Sequence, residues 1–198
     1  MGDFFERIVD VEVTSQEAGP LAERMVAWMV NEGLITRELS SDGVYSLTVE
    51  EGYVPGPNWA RAVADASDPT WLPGPVAVIV GRVYHVGGQG SDEAEYALCP
   101  RCQTRTVIIN YPEAFAADEE VWKPFRDGIA SWKETGEGRA PCPACGASVS
   151  VTEWRWDPNF AVGALAFDFW GWPPLSVSFC AMFSRHLGHR TVQHMGKF

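Results

Sequence analysis

Four of the five cysteines lie in two short motifs with the same spacing. The first motif, Cys99–Cys102, reads Cys-Pro-Arg-Cys, and the second, Cys142–Cys145, reads Cys-Pro-Ala-Cys. Each Cys-x-x-Cys turn can point two thiolates at one ion, and two such turns complete a tetrahedron around Zn²⁺. Because four thiolates leave no coordination position open, the pattern predicts a structural zinc ion. The predicted zinc ligands are Cys99, Cys102, Cys142 and Cys145.

Other uses of the same four thiols stay open at this point. Disulfides or a redox dithiol need the same residues, and iron accepts the same ligands as zinc. A catalytic zinc would need one ligand replaced by water and a base nearby, and His85 is the only histidine within fifteen residues of either motif. Paired thiols in a reducing compartment favour metal over disulfides.

A segment rich in β-branched residues follows each motif, over 104–110 and 148–156. A Cys-x-x-Cys turn followed by a strand, twice over, resembles a zinc ribbon across roughly residues 97–156. The 39 residues between Cys102 and Cys142 exceed the roughly 15–20 of a compact four-cysteine site. The surplus carries apolar residues at helical spacing, which predicts a helix near 121–133. These apolar residues are Trp122, Phe125, Ile129 and Trp132.

The remaining chemistry-bearing residues have weaker spacing signals. A second metal site formed by His186, His189 and His194 competes with a simpler interpretation, a polar helix end whose cations favour the helix dipole. Cys180, within a predicted apolar helix, is expected to be a small buried thiol rather than a nucleophile. The Gly-rich stretch 87–91 lacks the spacing of a phosphate-binding loop, which favours a hinge.

The segment 154–174 is rich in tryptophan and phenylalanine. If its strand stays extended, Phe167 and Phe169 face one side while Trp170 and Trp172 face the other. Such a surface either binds a partner or is buried under the ribbon, and the sequence does not separate the two.

The formal charge of −11 disfavours nucleic acid as a partner. The N-terminus lacks a basic region followed by an apolar run, and no apolar run approaches the ~20 residues that span a bilayer. A cytoplasmic protein without membrane contact is therefore expected. Twelve arginines against three lysines suggest a GC-rich bacterial genome.

Hydrophobic patterns divide the rest of the chain into two strand-helix-strand halves. The first half has a strand over 5–13, a helix after the Thr14–Glu17 capping box, and a strand over Val44–Val49. A short helix over Asn58–Ala66 and a strand over 75–86 follow. The second half has a strand over 160–172, a helix over 175–187 and a strand over 189–198. The predicted fold is α+β, a ferredoxin-like antiparallel sandwich of residues 1–90 and 157–198, with a zinc ribbon inserted at 91–156.

The leading functional hypothesis is a non-enzymatic zinc-binding protein that acts through protein–protein interaction, as an adaptor or immunity protein does. Its acidic surface would complement a basic protein partner. The first alternative is an enzyme whose site lies at the junction of sandwich and ribbon and uses His85, Asp168 or the C-terminal histidines. The second is nucleic-acid binding through Arg101 and Arg105 of the ribbon. The oligomeric state is not predicted.

Overall fold

The structure is a computed structural model that describes residues 4–46, 48–68, 70–87 and 92–197. This part of the chain is a mixed α/β fold with three α-helices and antiparallel sheets. The strands are β1 (Phe4–Asp10), β2 (Ile35–Ser40), β3 (Gly52–Pro55), β4 (Val76–Val86), β5 (Tyr96–Leu98), β6 (Arg105–Val107), β7 (Arg139–Pro141), β8 (Ser148–Ser150), β9 (Arg155–Trp156), β10 (Phe160–Trp170) and β11 (Thr191–Lys197). The helices are α1 (Ser15–Asn31), α2 (Glu119–Thr135) and α3 (Val177–Leu187), and Trp59–Ala62 forms a 3₁₀ turn.

The main sheet has six strands in the order β11-β1-β10-β4-β3-β2, and every neighbouring pair is antiparallel. Every residue of β10 is buried, which agrees with its nearly unbroken apolar sequence. The two ends of β10 contribute side chains to two apolar cores. A register shift between Gly163 and Leu165 keeps these side chains on the face of the sheet that the helices cover.

Helices α1 and α3 pack together against one face of this sheet around Met25, Phe167 and Phe183. The predicted capping box begins α1, since Thr14 Oγ1 donates to Glu17 Oε2 at 2.6 Å and accepts from the Glu17 N–H. The predicted helix over 175–187 begins two residues later, because the Ser176 side chain accepts from the Phe179 N–H and caps α3.

The other face of the sheet is covered partly by the sheet itself. Arg7 faces Asp168 across β1 and β10, and Asp168 faces Ala77 in β4. Val86 lies nine residues beyond Ala77, which is about 30 Å along a straight strand. Nevertheless Arg7 Nη1 donates to the Val86 carbonyl at 3.3 Å. The paired strands β4 and β10 therefore turn back over the sheet.

Glycine permits this bend in both strands. Gly81 of β4 has a φ of 131°, a conformation that side chains rarely adopt. A Cβ on Gly163 of β10 would overlap the Asp10 carbonyl of β1, so only glycine allows the two strands to approach this closely.

A second apolar core lies between α2, the short sheets β6-β5-β9 and β7-β8, and the bent end of β10. The predicted helical stripe is confirmed, because Trp122, Phe125, Ile129 and Trp132 of α2 are all buried in this core. Asp118 caps α2 through its side chain, and Gly136 in the left-handed conformation ends it.

Several local predictions are wrong. No strand forms in the described residues of Val44–Val49, because Val44 and Val49 instead pack as a cover on the face opposite α1 and α3. The β2–β3 hairpin occupies that sheet edge in their place. The helix expected over Asn58–Ala66 shortens to the 3₁₀ turn.

The strand expected over 148–156 is two strands in separate sheets, because β8 pairs with β7 while β9 pairs with β5. Trp172 is also misplaced by the extended pattern. The strand ends at Trp170, and Gly171 with a φ of 66° turns Trp172 back onto Phe169, with ring centroids 5.2 Å apart. The Gly-rich stretch beyond Gly87 lies outside the described residues up to Ser91.

The tryptophan-rich segment is mostly core. Trp154, Trp170 and Trp172 are fully buried, and Trp156 packs at 4.9 Å from the Phe160 ring. Burial under the predicted ribbon is therefore confirmed for Trp154 and Trp156 only, because Trp170 and Trp172 are buried against the main sheet instead. No helix in the described ranges is long and apolar enough to cross a membrane.

Candidate metal centre

Each Cys-x-x-Cys motif forms the turn of a β-hairpin. The first joins β5 to β6, where the Cys99 N–H donates to the Thr104 carbonyl at 3.0 Å. The second joins β7 to β8, where the Cys142 N–H donates to the Ala147 carbonyl at 2.8 Å. Two separate stretches of sequence thus fold into the same turn and bring their thiols to one place.

The residue after the second cysteine of each motif adopts the left-handed conformation. It is Gln103 with a φ of 61° in the first turn and Gly146 with a φ of 70° in the second. The Gln103 side chain secures the less favourable case, since its amide donates to the Pro100 carbonyl at 3.0 Å and its oxygen accepts from Arg155. Both turns therefore reach the same geometry by different local means.

The four sulfur atoms lie within 4.8 Å of one another. The Sγ atoms of Cys102 and Cys142 are 3.7 Å apart, and those of Cys99 and Cys145 are 4.0 Å apart. Tetrahedral Zn–S bonds of about 2.3 Å require sulfur atoms about 3.8 Å apart. The spacing therefore fits a single metal ion such as zinc, and it also suits iron, which takes the same ligands.

All five cysteines are free thiols, so the disulfide alternative finds no support in the structure. The 3.7 and 4.0 Å separations are nearly twice the roughly 2.05 Å of an S–S bond. Cys99 and Cys142 are buried against the core around α2, while Cys102 and Cys145 are exposed. An ion here would tie two hairpins to that core and leave one side of the centre at the surface.

The thiols differ in acidity because of their hydrogen bonds. Bonds from Thr104 lower the pKa of Cys102 to about 6. The Ala147 backbone N–H lowers the pKa of Cys145, but partial desolvation and the three neighbouring thiols together outweigh it and raise that pKa to about 11. One thiolate thus discourages ionisation of the next, and a divalent cation would remove that conflict by accepting all four.

The residues of the enzyme alternative come together elsewhere. Arg7 binds both oxygens of the Asp168 carboxylate, at 2.5 and 2.6 Å, in a buried ion pair. His85 and His194 lie in the same interior, only 2% and 1% exposed. The bend of β4 and β10 brings His85 close enough to Arg7 and His194 for their charges to influence it.

Burial dominates the electrostatics of this cluster. Burial and the positive charge of Arg7 lower the pKa of His194 to about 4 and that of His85 well below its usual value. Burial raises the pKa of Asp168, and Arg7 acts in the opposite direction. Among the described residues, His85 Nε2 is buried without a hydrogen-bond partner, while the His194 ring lies beside the backbone of Pro158 and Asn159, which acts against the lowering of its pKa. His85, His194 and Asp168 do not line a described cleft.

Sequence reasoning missed Arg7, the residue that holds the cluster together. The available signal was a pair of charged residues, Glu6 and Arg7, between apolar residues in a segment expected to be a strand. A charge at such a position is buried only when a partner neutralises it, and the partner lies 161 residues away.

The three C-terminal histidines do not converge on a metal. His186 stacks on Trp28 with ring centroids 4.3 Å apart, and His189 Nδ1 lies 2.8 Å from Asp10 Oδ2. His194 is buried beside Arg7. Within the described residues, the four cysteines are the one group of His, Cys, Asp and Glu side chains with metal-binding geometry.

Cys180 shows no sign of activation. Its thiol donates to Gln193 Oε1 at 3.3 Å, and burial raises its pKa to about 11. A nucleophilic cysteine needs the opposite shift. The expectation of an unreactive thiol is consistent with this environment.

A wide cleft lies where the main sheet meets the segment that carries the cysteines. Its volume is about 680 Å³, and the first turn of α1, the end of α2, Arg82 and Arg190 line it. Arg190 is engaged with Glu12 at 3.5 Å, and Arg82 Nη2 donates to the Glu134 carbonyl at 3.2 Å. His85 and Asp168 do not reach this cleft.

No protein-family model matches the chain, and no curated protein or solved structure matches it either. The resemblance to a zinc ribbon therefore rests on the two Cys-x-x-Cys turns and on the clustering of their four thiols.

Proposed function

We propose that this chain is a non-enzymatic binding protein, stabilised by a structural zinc ion and acting on a basic protein partner. The observation that carries the proposal is the closed four-thiolate cluster, which leaves an ion no open position. His85, His194 and Asp168 are buried and line none of the described clefts. These candidate acid–base groups therefore do not face a cavity in which a substrate could bind. In this proposal Cys99, Cys102, Cys142 and Cys145 are the zinc ligands.

The proposal includes a ferredoxin-like sandwich of residues 1–90 and 157–198 with a zinc ribbon inserted at 91–156. Support comes from β1 and β10, the first strands of the two halves, which lie side by side at the centre of β11-β1-β10-β4. Helices α1 and α3 share one face of that sheet. The β2–β3 hairpin then extends one edge, and the core around α2 belongs to the ribbon.

A basic protein is the partner that the charge favours. The chain carries a formal charge of −11, and four thiolates around one Zn²⁺ make it more negative still. The ribbon arginines are engaged within the chain, since Arg101 pairs with Glu153 at 3.1 Å and the Arg105 guanidinium lies 3.7 Å from the Tyr96 ring centroid. Nucleic acid is the less favoured partner because the net charge of the chain is strongly negative. A reducing cytoplasm would keep the four thiols available for the metal.

To test the proposal, metal-loaded protein is immobilised and exposed to a bacterial lysate, once before and once after the lysate is treated with nuclease. We expect it to retain a basic protein at about 50 mM salt and to release that protein as salt rises. The purified partner should then bind with measurable affinity and show no chemical change. Recovery of acidic proteins alone, or of nucleic acid before nuclease treatment, would contradict the proposal.

A second candidate, an enzyme or small-molecule receptor at the junction, has the 680 Å³ cleft in its favour. Two arginines and the start of α1 give that cleft donors for an anion. A rise in melting temperature with a small carboxylate or phosphate, lost in Arg82→Ala, would favour this candidate.

A further inference from the structure

The loop between β6 and α2 presents two aromatic side chains to solvent. Phe115 is 78% exposed and Tyr111 is 45% exposed. Their ring centroids are 5.4 Å apart in an edge-to-face arrangement, so they form one apolar surface, here called the aromatic pair. Among the described residues, Phe4, Tyr45 and Trp71 are the other exposed aromatic side chains, and none of them is as exposed as Phe115.

The loop that carries the aromatic pair is anchored at both ends. Ile108 and Ile109 are buried in the core around α2, and the Asp118 N–H donates to the Ile108 carbonyl at 2.8 Å. Between them, the Ala114 N–H donates to the Asn110 carbonyl at 2.9 Å. Binding to a surface held in this way costs little ordering entropy, as in preformed interfaces.

Tyr111 also lines a small cleft of about 160 Å³ with an acidic wall. The other side chains that matter there are Glu93, Glu95 and Asp157. Asp157 is buried, and its two oxygens accept the backbone N–H groups of Glu95 and Asn159 at 2.8 Å. The cleft therefore has a carboxylate fixed in its wall.

No basic side chain lines this cleft among the described residues. Arg7 donates to the carbonyl of Val86, another residue that lines the cleft, and is neutralised by Asp168. Arg126 interacts electrostatically with Glu93, so the carboxylates assigned to a bound cation are those of Glu95 and Asp157. A volume of about 150 Å³ is enough for a benzene-sized group, so the cleft can hold the end of one long side chain.

We infer that the aromatic pair and the adjacent cleft form the docking site for a basic segment of another protein. A lysine or arginine side chain enters the cleft beside Glu95 and Asp157 and contacts the Tyr111 ring, while an apolar neighbour packs on Phe115. The occupant is assigned from charge complementarity, because the cleft supplies carboxylates and an aromatic face and the chain as a whole is acidic. This inference rests on the proposed function and adds the place and chemistry of recognition.

The test uses full-length, metal-loaded protein and a fluorescent twelve-residue peptide of alternating lysine and leucine. Anisotropy at 50 mM and 300 mM salt measures its affinity, with a glutamate–leucine peptide as the charge control. We expect the lysine peptide to bind, the glutamate peptide not to bind, and Phe115→Ala and Glu95→Gln each to weaken binding at least tenfold.

Matched controls lie away from the docking site. Leu72→Ala removes an apolar side chain that is 84% exposed, and Glu38→Gln neutralises an exposed carboxylate on β2. Both should change the affinity by less than twofold. If the lysine peptide binds but all four variants weaken it equally, the docking site is wrong while acidic partner selection survives. If that peptide does not bind at 50 mM salt, both the docking site and the basic-partner function are wrong.

Discussion

At the scale of single residues, the two cysteine turns show how one backbone geometry tolerates different side chains. Gly146 adopts its φ of 70° without steric cost, and the space around a Cβ placed there is empty. Gln103 adopts nearly the same conformation with a side chain, and that side chain is hydrogen-bonded across the turn. The backbone of the metal centre is therefore constrained more strongly than its sequence.

We expect Gly146→Ala to lower the free energy of unfolding by about 1 kcal/mol, because alanine pays a penalty for a left-handed backbone. Chemical denaturation of the metal-loaded protein measures the change. The control is Gly19→Ala inside α1, where the backbone is helical and a Cβ meets nothing within 4 Å. There alanine should stabilise the fold by about 0.5–1 kcal/mol. A same-sign effect of the two substitutions would contradict the conformational explanation.

His194 should make the fold sensitive to acid. Its pKa falls from an ordinary 6.5 to about 4 on folding, because burial and Arg7 disfavour the charged ring. The unfolded chain therefore takes up the proton first, and stability is complete above pH 6.5 and is lost as the pH falls toward 4. The loss from this residue is roughly 3 kcal/mol.

Urea denaturation at pH 7, 5.5 and 4.5 measures this dependence. In His194→Gln the loss of stability between pH 7 and 4.5 should shrink, whereas His186→Gln, on the exposed end of α3, should retain the wild-type slope. Both variants keep all four metal-centre cysteines, so acid release of a bound ion affects them equally. Identical slopes in the two variants would argue against a buried neutral His194.

At the scale of elements, the bent pair of strands β4 and β10 determines which side chains meet. Its straight half pairs Asp168 with Arg7, and its folded half returns His85 to the same interior. A sheet that covers part of its own face can bury an ion pair without a third layer of helices. The cost is that every charge inside needs a partner.

We expect Asp168→Asn to destabilise the protein by about 3–5 kcal/mol, because Arg7 is left as a buried charge without its carboxylate. The double variant Arg7→Met, Asp168→Leu should recover much of that loss, since an apolar pair of similar volume often replaces a buried ion pair. Thermal and chemical denaturation of both variants measure the difference.

The comparison for this prediction is Asp127→Asn on the surface of α2. Asp127 pairs with Lys123 one helical turn away, and both side chains are more than half exposed. Its loss should cost far less than that of Asp168, because solvent screens an exposed ion pair. If the two Asp→Asn changes cost the same, burial of the Arg7–Asp168 pair has no energetic consequence.

At the scale of the whole molecule, β10 joins two apolar cores. Phe160 and Val162 belong to the core around α2, and Phe167 and Phe169 belong to the core under α1 and α3. The four cysteines lie beside the first of these cores only. Loss of a metal should therefore destabilise some parts of the chain more than others.

We predict one zinc ion per chain by elemental analysis, and its loss in Cys142→Ser. In that variant, amide hydrogen exchange should become fast in α2, β7 and β8, while β1 and β11 keep more of their protection. Cys180→Ser, outside the cluster, should retain both the metal and the exchange pattern. A zinc-free wild-type protein with full stability would refute a structural role for the metal.

Local sequence patterns were enough to identify the structural elements that depend on interactions between residues close together in the chain. The spacing of the cysteines identified the group that clusters, the stripe through Trp122 and Ile129 identified α2, and Thr14 marked the start of α1. Each of these signals lies within a few turns of chain, where periodicity and capping chemistry operate.

Only the tertiary structure decided which distant residues share an interior. Two glycines bend the paired strands β4 and β10, and this bend brings together Arg7, His85, Asp168 and His194. The local hydrophobic pattern of the sequence does not predict the bend. The same holds for Val44 and Val49, whose β-branched side chains cover a sheet instead of joining it. Strand pairing and burial depend on contacts between segments far apart in sequence, and these contacts override local propensity.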